Sequence, residues 1–161
     1  MTIDRREFSQ QAYKALHDLK PKLSTLARKV AEKDKKPVDD SEIAKKAQSY
    51  CEKSSGLVQG LPIYISTWGL HRLAGDAKKF SIGTASDTQY KGIVYTLFLE
   101  RLREAVDEDF ILPSESTDIS DERSLVMMEF RRYTTLNRLA MQIAKEWSFW
   151  AASILGEAKG D

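Results

Sequence analysis

The chain is poor in the residues that carry most protein chemistry. It has one cysteine and two histidines among 161 residues. The lone thiol, Cys51, excludes an internal disulfide framework and fits a reducing compartment. With no second cysteine, no zinc site of thiolate ligands is signalled. Neither His17 nor His71 completes an E-x-x-H pair, because Lys14 and Trp68 occupy the positions three residues earlier. The di-iron pattern of helical bundles is therefore missing. His17-Asp18 is an HD dipeptide without the further ligands that a metal-dependent phosphohydrolase needs. Glycine-rich phosphate loops and the G-x-S-x-G elbow are also absent. The carboxylates between Glu104 and Glu122 are dense, but their D-E-D grouping does not match an EF-hand loop. We expect no enzyme, no cofactor and no metal. No apolar run approaches the ~20 residues of a membrane span, and no apolar stretch near Met1 marks a secretory signal. The expectation is a cytoplasmic protein with no membrane partner.

What is present is a core. Apolar residues make up 42% and charged residues 30%, the balance of a soluble globular chain. The length suits one domain. No repeat, low-complexity tract or run of alternating strand residues occurs. We expect an all-α fold, a single-domain bundle of about five helices over residues 1–161.

From Phe8 the apolar positions run Phe8, Ala12, Leu16, Leu19, Leu23, Leu26 and Val30, one stripe on a helix. Pro21 should kink or split it, because its ring clashes with the preceding turn. Residues 32–40 read as a charged linker, with Ser41 as N-cap of a second helix that ends before Gly56. Residues 60–75, GLPIYISTWGLHRLAG, place Leu61, Ile65, Trp68, Gly69 and Leu73 on one helical face. Pro62 suits its first turn and Gly75 its stop. Trp68 is expected as a core anchor whose loss costs ~3–5 kcal/mol. His71, off the stripe, is expected at the surface or boundary. After a loop at 79–88 that offers Asp87 or Thr88 as a cap, another helix carries Tyr90 to Val106. An acidic irregular loop follows at 107–122, with Phe110-Ile111-Leu112 as an apolar plug. Ser120 is the expected cap of the last helix. There Leu136, Ala140, Ile143, Trp147, Trp150 and Ile154 form a burying seam. Residues 156–161 are expected as a frayed tail.

Charge is distributed unevenly. Residues 1–80 carry 16 Lys/Arg against 10 Asp/Glu, and residues 81–161 carry 9 against 14, within a net charge of +1. Such a chain can meet a polyanion with one face, or stack basic end to acidic end on copies of itself. Ordinary solvated faces are the alternative. The candidate RNA-binding residues are Lys45, Lys46 and Lys53 on the second helix, then Arg72, Lys78 and Lys79, then Arg131, Arg132, Arg138 and Lys145 on the last. Arg131, Arg138 and Lys145 recur every two turns, roughly 10 Å apart, a spacing suited to phosphates along a strand.

One stretch is distinctive. An L-P pair opens a helix that continues to a G-L pair, Leu61-Pro62-Ile63-Tyr64-Ile65-Ser66-Thr67-Trp68-Gly69-Leu70, and it follows a lysine-rich helix. Later come an aromatic-rich helix and a last helix with Arg132-Tyr133-Thr134 and Trp147. Over residues 41–155 this order resembles the small helical subunit of the type III-B CRISPR RNA-guided effector, the Cmr complex. The related Csm-type small subunit is the neighbouring alternative. The resemblance implies a non-catalytic all-α subunit that stacks in several copies beside the backbone subunits. Its partners would be other effector subunits, CRISPR RNA and target RNA. A different class of function, a helical adaptor that binds only protein, stays open.

Overall fold

The computed structural model describes residues 4–33, 39–83, 85, 87–116 and 118–159. Among them there are six α-helices and no strand: α1 (Arg5–Lys33), α2 (Asp40–Gln59), α3 (Leu61–Trp68), α4 (Leu70–Ile82), α5 (Gln89–Val106) and α6 (Phe130–Leu155). The sixth arises because the stretch expected as one helix over 62–75 is two. Gly69 breaks it at φ 82° and ψ 165°, backbone space that only glycine enters without strain. Gly75 is therefore not a stop. It lies inside α4, with open space where a Cβ would stand.

The stripe of α1 is buried as its spacing predicts: Ala12, Leu16, Leu19 and Leu23 are fully enclosed. Each buried leucine contributes about 1.5–3 kcal/mol. Pro21 does not split the helix. It sits on the exposed side, so the carbonyl that loses its partner faces water while the buried stripe holds both halves together. α1 packs on α2, α5 and α6, and one apolar cluster runs through all six helices. At its centre Trp147 of α6 meets Phe98 of α5 edge-on, with ring centroids 5.1 Å apart. The Trp150 indole N–H donates to Ser9 Oγ at 2.8 Å and ties α6 to α1. Gly92 lets α5 close on the end of α4, where a Cβ would stand 2.8 Å from the Ser81 amide. Within the core, Ser54 Oγ of α2 is buried and finds no hydrogen-bond partner among the described residues.

Several boundaries differ from expectation. Of the linker at 32–40, Glu32 and Lys33 complete α1 and Asp40 opens α2, while residues 34–38 lie outside the described residues. Asp39, not Ser41, caps α2 by accepting from the Ser41 amide, and α2 runs through Gly56 to Gln59. The loop expected from 79 begins only at Gly83, and residues 84 and 86 lie outside the described residues. Thr88 stands at the N-cap of α5 without a side-chain capping bond. The irregular segment extends to Glu129. Its carboxylate caps α6 by accepting from the Arg131 and Arg132 amides, and this holds its pKa below the usual glutamate value. Ser120 instead turns back on Asp118. The tail is docked as far as Lys159, whose amide donates to the Glu52 carbonyl at 3.3 Å. Residues 160 and 161 lie outside the described residues.

The irregular segment is clasped to the bundle. Phe110 and Leu112 are buried as an apolar plug, joined by Leu125 and Met128. The Arg103 guanidinium donates to the Phe110 carbonyl and to Glu115. That contact, before the Leu112 amide, draws the Glu115 pKa down.

Candidate nucleic-acid interface

The α3/α4 corner is built against α6. The Ser148 hydroxyl donates to the Gln59 carbonyl at one end, and Asn137 Oδ1 accepts from the Leu70 amide at the other. α3 and α6 therefore run side by side in opposite directions. Gly69 offers no side-chain cap to α4. Asn137 and the Tyr133 hydroxyl, which accepts from the His71 amide at 3.4 Å, supply it from α6. Two of the orphan amides at the start of α4 are thus satisfied by the neighbouring helix. Tyr133 also reaches His71 Nδ1 at 2.7 Å. His71 lies at the surface, as its place off the stripe implied.

Trp68 is not a core anchor. It is 50% exposed, and the Arg72 guanidinium lies over its ring, 4.8 Å from the centroid. The physical reason is the break at Gly69. The helix ends at Trp68, and the chain turns away at Gly69 before a neighbour can cover the indole. The enclosed tryptophan is Trp147, at 1% exposure.

On α6, Arg131, Arg138 and Lys145 all face solvent. None makes an ion pair among the described residues, whereas Arg6, Arg101, Arg103, Arg123 and Arg132 each hold a carboxylate. Arg132 is set apart from the stripe in this way: it grips Glu108 at 2.8 Å, which raises its pKa. The free stripe thus has three members, with Arg72 on the adjoining corner.

The other candidates do not converge on this surface as one cluster. Lys45 is exposed and Lys46 half-buried on α2. Lys78 lines an apolar hollow with His71, Ile111 and Leu125. Lys79 lies over Phe80 at 5.3 Å. Lys53 borders a separate cleft of about 420 Å³ with Tyr64, Tyr95, Lys91 and Lys159. Lys91 and Lys159 are not singled out by sequence, because neither has a basic residue within a few positions of it and only folding gathers them. In that cleft the Tyr64 hydroxyl donates to Asp76. Burial, more than the Asp76 charge, pushes the Tyr95 pKa up to about 12.

Cys51 is buried in the core, and burial pushes its thiol pKa up, away from the thiolate a nucleophile needs. Among the described residues no three metal-ligating side chains gather, and no helix is long and apolar enough to cross a membrane. Compared with known proteins, the chain matches no family model, no curated protein and no solved structure.

Proposed function

We propose that this chain is a non-catalytic structural subunit of a CRISPR type III RNA-guided effector. In this reading it stacks in several copies and holds the backbone of guide and target RNA against basic helix faces. The observation that carries the reading is the stripe of Arg131, Arg138 and Lys145, exposed on one long helix and, among the described residues, free of ion pairs. Three cations in line neutralise successive phosphates without reading bases. The L-P to G-L helix supports the same reading through its resemblance to the Cmr small subunit. Stacking is supported by the uneven charge of the two halves and by Ile119, Val126, Met127 and Phe130, which stand exposed beside the acidic segment. Cleavage belongs to other subunits in this scheme.

The test is RNA binding as a function of salt. Replacing Arg131, Arg138 and Lys145 with alanine should flatten the slope of log K against log salt by about 2, at roughly 0.7 per phosphate contact on a single strand. Tagged chain purified from its native host at low salt should bring down large protein partners and short RNAs that share one repeat-derived end. Protein partners without RNA would favour the second reading, an adaptor docking through the exposed apolar residues at 119–130.

A further inference from the structure

We propose that Trp68 is a stacking platform for an unpaired RNA base, set beside the phosphate contact of Arg138; this rests on the RNA-backbone reading above. Its height along α6 is fixed by its neighbours. Because the chain runs antiparallel to α6, with Gln59 bonded to Ser148 and Leu70 to Asn137, Trp68, two residues before Leu70, stands level with the turn of α6 that begins at Arg138. Its ring is half open to solvent, and Arg72 lies over it at 4.8 Å. An indole with a guanidinium over one face leaves the other face for a nucleobase to stack on, and the cation adds charge near the adjoining phosphate. Every base has a π-face, so the contact tolerates any sequence, as the backbone contacts do.

The surroundings favour a nucleic acid over a protein side chain. Ser66, Thr67, His71 and Arg72 around the indole are polar and exposed, and the nearest exposed aliphatic on α3, Ile63, is more than a turn away. A protein-docking patch would be continuous in apolar surface. The exposed apolar residues Val126 and Phe130 line a pocket with His71 and Tyr133 in which Trp68 takes no part; the indole itself stands with polar Ser66, Thr67 and Arg72.

The experiment titrates the full chain with single-stranded RNA of mixed sequence, long enough for several copies, at low salt. Anisotropy of a labelled RNA reports binding, and tryptophan fluorescence reports stacking. The same titration is repeated with an abasic RNA of equal length. Binding of intact RNA should quench the wild-type emission. Trp68→Ala should weaken binding of intact RNA by about ten-fold, within the range for one lost base–aromatic stack. The abasic strand should bind wild type and Trp68→Ala alike. Trp68→Phe keeps a ring, so it should retain part of the affinity, and the Trp147 and Trp150 emission left in it should stay unquenched. If Trp68→Ala binds both strands like wild type while the triple alanine variant of α6 is weakened, the stacking assignment fails and the RNA reading stands. If Trp68→Ala weakens both strands equally, Trp68 acts through the fold and the assignment fails. If wild type binds neither strand, both the assignment and the RNA reading fall.

Discussion

Two glycines six residues apart should respond to the same substitution with opposite signs. Gly69 holds φ 82° and ψ 165° between α3 and α4. Alanine in that region costs about 1–3 kcal/mol in backbone strain. Its Cβ would also overlap the Tyr133 hydroxyl, displacing the group that caps α4 and bonds His71. Losing that hydrogen bond adds about 0.5–1.5 kcal/mol. Gly69→Ala should therefore destabilise by about 2–4 kcal/mol in total. Gly75 is exposed within α4, with nothing near its missing Cβ. Gly75→Ala should stabilise by up to about 1 kcal/mol through helix propensity alone. Urea unfolding followed by circular dichroism measures both. With an m-value of about 2 kcal/mol/M, the Gly69 variant should lose ~1–2 M in midpoint. If Gly69→Ala shifts the midpoint negligibly, the break at Gly69 is not fixed by its backbone. If Gly75→Ala destabilises by more than ~1 kcal/mol, Gly75 is a helix stop after all.

Other substitutions test the core and the aromatic cleft. Trp147→Ala should cost about 3–5 kcal/mol and Trp68→Ala less than about 1.5 kcal/mol, and the reverse order in the same urea assay would contradict the burial pattern. Ser54→Ala should raise stability by about 0.5–1 kcal/mol, because it removes an unpartnered buried hydroxyl and improves helix propensity; a loss of stability would reveal a partner for that hydroxyl. Tyr95 has a folded-state pKa raised to about 12, against about 10 in an unfolded chain. The unfolded state releases this proton first, so the contribution is intact below pH ~10 and falls by up to about 1.4 kcal/mol per pH unit until pH ~12. Tyr95→Phe should flatten that alkaline decline of the urea midpoint, and an unchanged decline would mean that Tyr95 is not its source.

Periodicity revealed most of the helices because a buried stripe must repeat every three or four residues. Phe8 to Val30 and Leu136 to Ile154 show this directly. It failed at Trp68 because Leu61, Ile65, Trp68 and Leu73 continue one stripe on paper, while the backbone at Gly69 resets the phase. A glycine within an apolar stripe can mean close packing or a break, and the partner that decides, Tyr133, lies 64 residues away in sequence. Caps were misplaced for a related reason. Asp39 stands two residues from Ser41 with comparable capping preference, so residue type does not choose between them; Glu129 lies nine residues beyond Ser120 and is not a favoured cap residue, so nothing local points to it. For the candidate interface, the spacing of Arg131, Arg138 and Lys145 was legible within one helix. That Arg132 is claimed by Glu108 was not, since the pair joins α6 to the irregular segment.

The clasp on that segment changes what a break in the chain would do. Phe110 and Leu112 are buried before its exposed middle, and Leu125 and Met128 after it. The Ile111 amide donates to the Arg123 carbonyl and bridges the two sides. A protease nick beside Asp118 would leave each fragment held by its own buried residues, so the cut protein should migrate as one particle under native conditions and as two bands in detergent. The same site can accept added residues at little cost, because lengthening a loop whose ends are already fastened costs only about 0.6 kcal/mol per doubling. The segment can therefore differ in length while the six helices keep their places.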